Sequence, residues 1–211
     1  MKWLVFVLLM AASGGEMSTL LAQTAGEGKQ RILILGDSIT AGYGLAREEA
    51  YPALLQKKAD AETLPWEIIN AGLSGDTTAG GLRRIDWALG QKGADILVIA
   101  LGGNDGLRGL SPEQTEKNLT GIIAKARAKT PSIKILIAGM QMPDNLGPKY
   151  VEAFKSTFPK VAAAENTHLL PFLLQGVGGD ETLNQPDRIH PNAQGQQKIA
   201  ELIWTKLKEM L

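Results

Sequence analysis

The chain has no cysteine among its 211 residues and only two histidines. The first absence excludes disulfides, thiolate metal sites and a cysteine nucleophile. The second means that a zinc ion would have to lean on carboxylates, so neither a metal nor another cofactor is expected. Charge carries no bias: 22 Lys and Arg balance 22 Asp and Glu, for a formal net charge of zero. With no block of like charges, nucleic acid and anionic membrane surfaces are poor candidates for the main partner. At 44% hydrophobic and 21% charged, the chain suits one globular domain with a sizeable core.

The N-terminus reads differently from the rest. Lys2 precedes Trp3 to Ala12, a run of ten apolar residues, and the polar stretch Ser13 to Glu16 follows. Such a run is too short to span a bilayer but suits the centre of a secretory signal. Leu20-Leu21-Ala22 offers a cleavage site, with Ala11-Ala12-Ser13 as a second. The expected organisation is a signal over residues 1–22, a linker over 23–30 and one domain over 31–211. The protein is then exported, periplasmic or secreted, with no membrane span after cleavage. The alternative is an uncleaved interfacial anchor.

From Arg31 onward, strand-like and helix-like segments alternate. Ile32 to Leu35 reads as a short apolar strand, Tyr51 to Ala61 as a helix ended by Pro65, Ile68-Ile69 as a second strand and Thr77 to Leu89 as a second helix. Ile96 to Leu101 is continuously apolar, as a central strand buried on both faces should be. Ser111-Pro112-Glu113-Gln114 starts a helix, with serine at the N-cap, proline at N1 and glutamine placed for a capping box. Thr130-Pro131 stops that helix. Ile133 to Ala138 is a fourth strand, Tyr150 to Glu165 a helix that Pro159 should kink or break, Leu169-Leu170 a fifth strand and Asn192 to Met210 a closing helix. The pattern predicts an α/β fold with a parallel sheet covered on both faces. In such sheets the ligand sits beyond the carboxyl ends of the strands.

The polar and glycine-rich residues fall at those ends: Gly36-Asp37-Ser38 after the first strand, Asn70 to Gly75 after the second, Gly102 to Gly106 after the third. Taken singly, these are tight strand-to-helix turns, with Ser38 a helix cap and Asn104 an Asx turn. Taken together they make Ser38 a candidate nucleophile, which needs an adjacent base. His190 in Asp187-Arg188-Ile189-His190-Pro191 is the candidate base, since its one competitor, His168, opens a short strand where a surface or packing role fits better. Asp187 lies within reach of the imidazole across one turn and can hold its tautomer. The Gly72 N–H and the Asn104 amide are candidate oxyanion donors, and Asp37 and Asp105 read as braces for their turns. A phosphate cradle has no G-x-G-x-x-G or P-loop lysine behind it. A hard cation held by Asp37, Asp76, Asp105 and Asp187 would leave Ser38, Asn104 and His190 without a role.

These blocks resemble the SGNH (GDSL) hydrolase family: Gly36-Asp37-Ser38-Ile39 with isoleucine where leucine is frequent, Gly72 in the glycine block, Gly102-Gly103-Asn104-Asp105, and Asp187-Arg188-Ile189-His190, in family order. The resemblance spans nearly all of the chain after Arg31. Within the family, Ala41 to Leu45 and Gly102 to Gly109 are most similar to bacterial periplasmic arylesterases and to multifunctional thioesterase, lysophospholipase and protease enzymes. It implies a flavodoxin-like three-layer α/β/α sandwich with strand order 2-1-3-4-5. It also implies Ser38 as nucleophile, His190 as base, Asp187 as orienter, and Ser38 N–H, Gly72 N–H and Asn104 as oxyanion donors. The loop Gly106 to Leu110 then borders the acyl pocket and moves on binding, with Gly106, Leu107 and Arg108 against substrate. Phe172, in the apolar stretch Pro171 to Leu174, either joins that pocket or belongs to the core.

The expected function is therefore hydrolysis of a small-molecule acyl ester or thioester through an acyl-enzyme on Ser38, by a monomer or weak oligomer. Two alternatives stand beside it. One is a carbohydrate O-acetyl esterase using the same residues; the other is a non-catalytic periplasmic binding protein on the same fold.

Overall fold

A computed structural model describes residues 28–210; the expected signal peptide and residues 23–27 of the linker lie outside them. The sheet has five strands in the order β2-β1-β3-β4-β5, all parallel. They are β1 (Gln30–Gly36), β2 (Trp66–Gly72), β3 (Ile96–Ala100), β4 (Lys134–Ala138) and β5 (His168–Leu170). Every residue of β3 is buried, which is why its sequence is an unbroken apolar run rather than an alternation.

Among the described residues seven α-helices accompany them: α1 (Ser38–Ala41), α2 (Tyr51–Ala61), α3 (Thr78–Leu89), α4 (Gly103–Leu107), α5 (Pro112–Lys129), α6 (Pro148–Ala164) and α7 (Ala193–Glu209). Helix α3 packs on α5 and α5 on α6, whereas α2 packs on α7. The two groups cover opposite faces and give the three-layer sandwich. Among the described residues, no helix is long and apolar enough to cross a membrane.

Register positions the site. Gly36 at the end of β1 pairs with Gly72 of β2 and with Ala100 of β3. The three strands therefore end at one level, and their turns open on one edge of the sheet. Two local expectations need correction. Helix α6 runs unbroken through Pro159, because Phe154, Phe158 and Val161 are buried against the core and packing overrides the lost hydrogen bond. The capping box at α5 is only half made: Ser111 Oγ accepts the Gln114 N–H at 3.2 Å, but the Gln114 side chain turns forward to Asn118. Short helices, α1 and α4, follow β1 and β3 at once, ahead of the helices read at Tyr51 and at Ser111-Pro112.

Candidate active site

A β-carbon at Gly36 would lie 1.9 Å from Thr40 Oγ1, so glycine is what lets the chain fold back at once into α1. Asp37 caps that helix, its Oδ1 accepting the Ile39 N–H at 3.0 Å. Ser38 is thereby fixed as the first residue of α1 and is 9% exposed. Helix α7 holds α1 from behind. Its buried Gln196 donates from Nε2 to Ile39 O at 3.0 Å and accepts the Tyr51 N–H at 2.9 Å.

The loop between β5 and α7 delivers the other two residues. Asp187 Oδ1 accepts the N–H groups of Ile189 and His190 at 2.9 and 3.0 Å. Its Oδ2 lies 2.6 Å from His190 Nδ1, and His190 Nε2 lies 2.9 Å from Ser38 Oγ. Chiefly through the His190 N–H, the Asp187 carboxyl is held down to about 2. It stays ionised, binds the proton on Nδ1 and leaves Nε2 bare toward the hydroxyl. Asn192 then starts α7, accepting the Gln194 and Gly195 N–H groups, so the loop is pinned at its far end.

Asn104 stands on α4, against the residue that precedes Ser38. Its amide donates to Asp76 O at 2.9 Å, and its second hydrogen faces Asp37 Oδ2 at the long distance of 3.4 Å, so that hydrogen is the one an oxyanion can take. The expectation for Gly72 is not met. Its N–H donates to Asn70 Oδ1 at 2.9 Å, and a β-carbon there would lie 2.4 Å from Ala41 N. Gly72 is small to let α1 pass and its N–H is engaged. Three residues on, Gly75 holds φ at 78°, and among the described residues neither its N–H nor that of Ser38 donates to another group. Gly75 directly precedes Asp76, whose carbonyl takes the Asn104 amide, so this free N–H lies on the turn that meets Asn104.

The remaining carboxylates each have partners of their own. Asp76 pairs with Arg84 at 2.7 Å. The buried Asp105 accepts the Thr78 N–H at 2.9 Å together with the Thr78 and Thr115 hydroxyls. Burial pushes the Asp37 carboxyl up to about 6. His168 is the exposed first residue of β5, away from the Ser38 edge.

Three positioning groups have no counterpart in the sequence reading. Tyr43 lays its ring against His190, centroids 4.6 Å apart. Gln185 joins the two loops, donating to Tyr43 O at 2.7 Å and to Pro191 O at 3.1 Å. Arg84 donates to Ala71 O and Gly36 O, each at 2.9 Å, as well as to Asp76, and so clamps the ends of β1 and β2. The family-like stretch containing Tyr43 was the one signal that pointed at any of them.

A cavity of about 420 Å³ opens beside Ser38, lined by Ile39, Gly103, Leu107, Met142, Phe172 and Ile189 among others. Leu107 and Phe172 are among its lining residues. Gly106 is not: it is buried, and a β-carbon there would lie 2.2 Å from Met142 Sδ. Arg108 is not either; it reaches across to Gly75 O at 3.0 Å and ties α4 to the turn after β2.

The model of the GDSL-like lipase/acylhydrolase family matches residues 34–198. The chain is 44% identical over 199 residues to the esterase TesA of Pseudomonas aeruginosa, covering 94% of this chain and 97% of that one. It is 38% identical over 180 residues to thioesterase 1/protease 1/lysophospholipase L1 of Escherichia coli, covering 85% and 84%. A crystal structure of TesA superposes with a TM-score of 0.82 at 45% identity, over 86% of this chain and 100% of that one.

Proposed function

We propose, from the premise that this chain belongs to the GDSL-like lipase/acylhydrolase family and is an ester hydrolase, that Ser38 is its nucleophile, His190 its base and Asp187 the group that orients the base. The observation that carries the assignment is the run of contacts from Asp187 Oδ2 to His190 Nδ1 at 2.6 Å and from His190 Nε2 to Ser38 Oγ at 2.9 Å. A hydroxyl is a weak nucleophile until a neighbouring base takes its proton. Here the imidazole is in place to do so, and the ionised Asp187 stabilises the imidazolium that results.

Ser38 Oγ bonds to the carbonyl carbon of an ester or thioester while its proton passes to His190 Nε2. The oxyanion of the tetrahedral intermediate accepts from the Ser38 N–H, the Asn104 amide and, in place of Gly72, the Gly75 N–H. The carbon to oxygen or carbon to sulfur bond breaks, and His190 returns its proton to the leaving alcohol or thiol. Water then attacks the acyl-enzyme, losing its proton to His190, and Ser38 leaves with that proton restored. The apolar cavity beside Ser38 takes the acyl chain. Its volume of about 420 Å³ favours chains longer than acetyl over a carbohydrate O-acetyl esterase. The names of the relatives, an esterase and a thioesterase with lysophospholipase activity, support the same substrate class.

Residues 1–22 are read as a signal and residues 31–211 as the exported domain, acting as a monomer or weak oligomer. The test of the function is Ser38→Ala. Hydrolysis of p-nitrophenyl butyrate should disappear while circular dichroism and thermal unfolding stay as in the wild type; a folded variant that still turns over would refute the assignment.

A further inference from the structure

Three non-glycine residues among those described hold a positive φ: Thr63 at 54°, Asn166 at 48° and Arg188 at 59°. The first two have an ordinary reason. Each sits just past the end of a helix, where the Leu64 N–H donates to Ala59 O and the Thr167 N–H to Ala162 O. In that pairing a left-handed residue closes the helix. Arg188 ends no helix. It stands between Asp187 and His190, in a turn where glycine or asparagine would hold the same φ with less strain. A long cation kept in a left-handed conformation at this place directs attention to what its side chain does.

Arg188 lines the cavity beside Ser38, and it is the only charged residue among the lining residues described. The rest of the wall is mostly apolar, with Leu107, Phe172, Leu174 and Ile189, and its polar side chains, Gln141 and Asn184, are uncharged. The partner of Arg188 is Glu181, at 2.8 Å, and the two side chains are 72% and 67% exposed. An ion pair so exposed holds weakly. A guanidinium also carries five N–H donors in a flat fork that suits carboxylate and phosphate. A substrate anion can therefore replace Glu181 while an apolar chain fills the cavity.

We propose that Arg188 makes this site selective for esters bearing an anionic group, its guanidinium taking a carboxylate or phosphate at the cavity rim, with Glu181 as the internal anion that competes for it. The inference rests on the reading of Ser38 and His190 as an esterase site. The anion has two possible sources, the far end of the acyl chain or the alcohol that leaves, and the experiment separates them.

The experiment measures kcat/KM for two matched pairs of substrates: the half-ester p-nitrophenyl glutarate against p-nitrophenyl valerate, and 4-carboxyphenyl butyrate against phenyl butyrate. It compares the wild type with Arg188→Asn, which tolerates the left-handed φ, with Arg188→Lys, and with Glu181→Gln. In the pair that carries the anion on the correct side, Arg188→Asn should lower the anionic-to-neutral ratio about tenfold. Arg188→Lys should keep most of the ratio, and Glu181→Gln should raise it a few-fold. The gain in Glu181→Gln should shrink at high salt. Ratios equal in all four proteins for both pairs, or a ratio lowered by Glu181→Gln, would overturn the proposal while leaving the esterase reading intact. A wild type that hydrolyses none of the four esters would overturn that reading, and this inference with it.

Discussion

Asp37 and Asp187 lie on either side of one serine, and their surroundings drive them in opposite directions. Asp37 is buried with few donors around it, which pushes its carboxyl up to about 6. Asp187 is open to solvent and accepts from two backbone N–H groups and the imidazole, which holds it down to about 2. The folded chain thus binds the Asp37 proton more tightly than the unfolded chain does. Its contribution favours folding most below the ordinary carboxyl value of 3.8 and is lost as pH rises through about 6. The contribution of Asp187 has the reverse sign and a lower window: present above 3.8, it is lost as pH falls through about 2. Urea unfolding should therefore find Asp37→Asn gaining on the wild type by roughly 1–3 kcal/mol between pH 4 and pH 7. A difference that is flat over that range would contradict the burial of an ionisable group there. For Asn104→Ala, kcat should fall by ~10²–10³ with KM little changed, since its amide serves the oxyanion and not the bound ester. An equal fall in affinity would place Asn104 in ground-state binding instead. The Asp187 to His190 pair is legible in sequence because only two residues and one turn separate its members. The choice between Gly72 and Gly75 is not, because it turns on where the Asn70 side chain goes and on a backbone angle.

At the scale of elements, the edges of the sheet are where reading from sequence is least complete. Strand β2 runs over seven residues, but only Ile68-Ile69 carries an apolar signal. An edge strand alternates between core and solvent, so its pairing with β1 defines it more than its composition does. The exposed side of that edge is partly closed by α2. Gln56 Oε1 accepts the Ile68 N–H at 2.8 Å, and its Nε2 donates to Trp66 O at 3.1 Å, so the amide imitates a neighbouring strand. Gln56→Ala frees both backbone groups and should lower stability by about 1 kcal/mol in chemical denaturation, without changing kcat on a short ester. A loss of activity at unchanged stability would instead tie this edge to the site. Helix α6 teaches a related lesson, since buried Phe154 and Phe158 hold a helix through Pro159 where local preference alone would end it.

At the scale of the molecule, Ser38 and His190 are 152 positions apart and meet because of strand order. With β1 at position two in the sheet and β3 beside it, the turns carrying Ser38 and Asn104 are neighbours. The closing helix α7 reaches back through Gln196 to hold α1, which brings the loop before it, and His190, over the serine. Alternation of apolar runs with helical segments is enough to read this layered fold and its functional edge from the sequence. It does not reveal Tyr43, Gln185 or Arg84, whose partners are set only when distant loops pack. The central claim, that this arrangement makes one serine of the chain a nucleophile, is tested most directly by treating the folded protein with a fluorophosphonate and locating the adduct by mass spectrometry. The account predicts a single adduct on Ser38 that is lost in His190→Ala; an unlabelled protein, or an adduct on another residue, would contradict it.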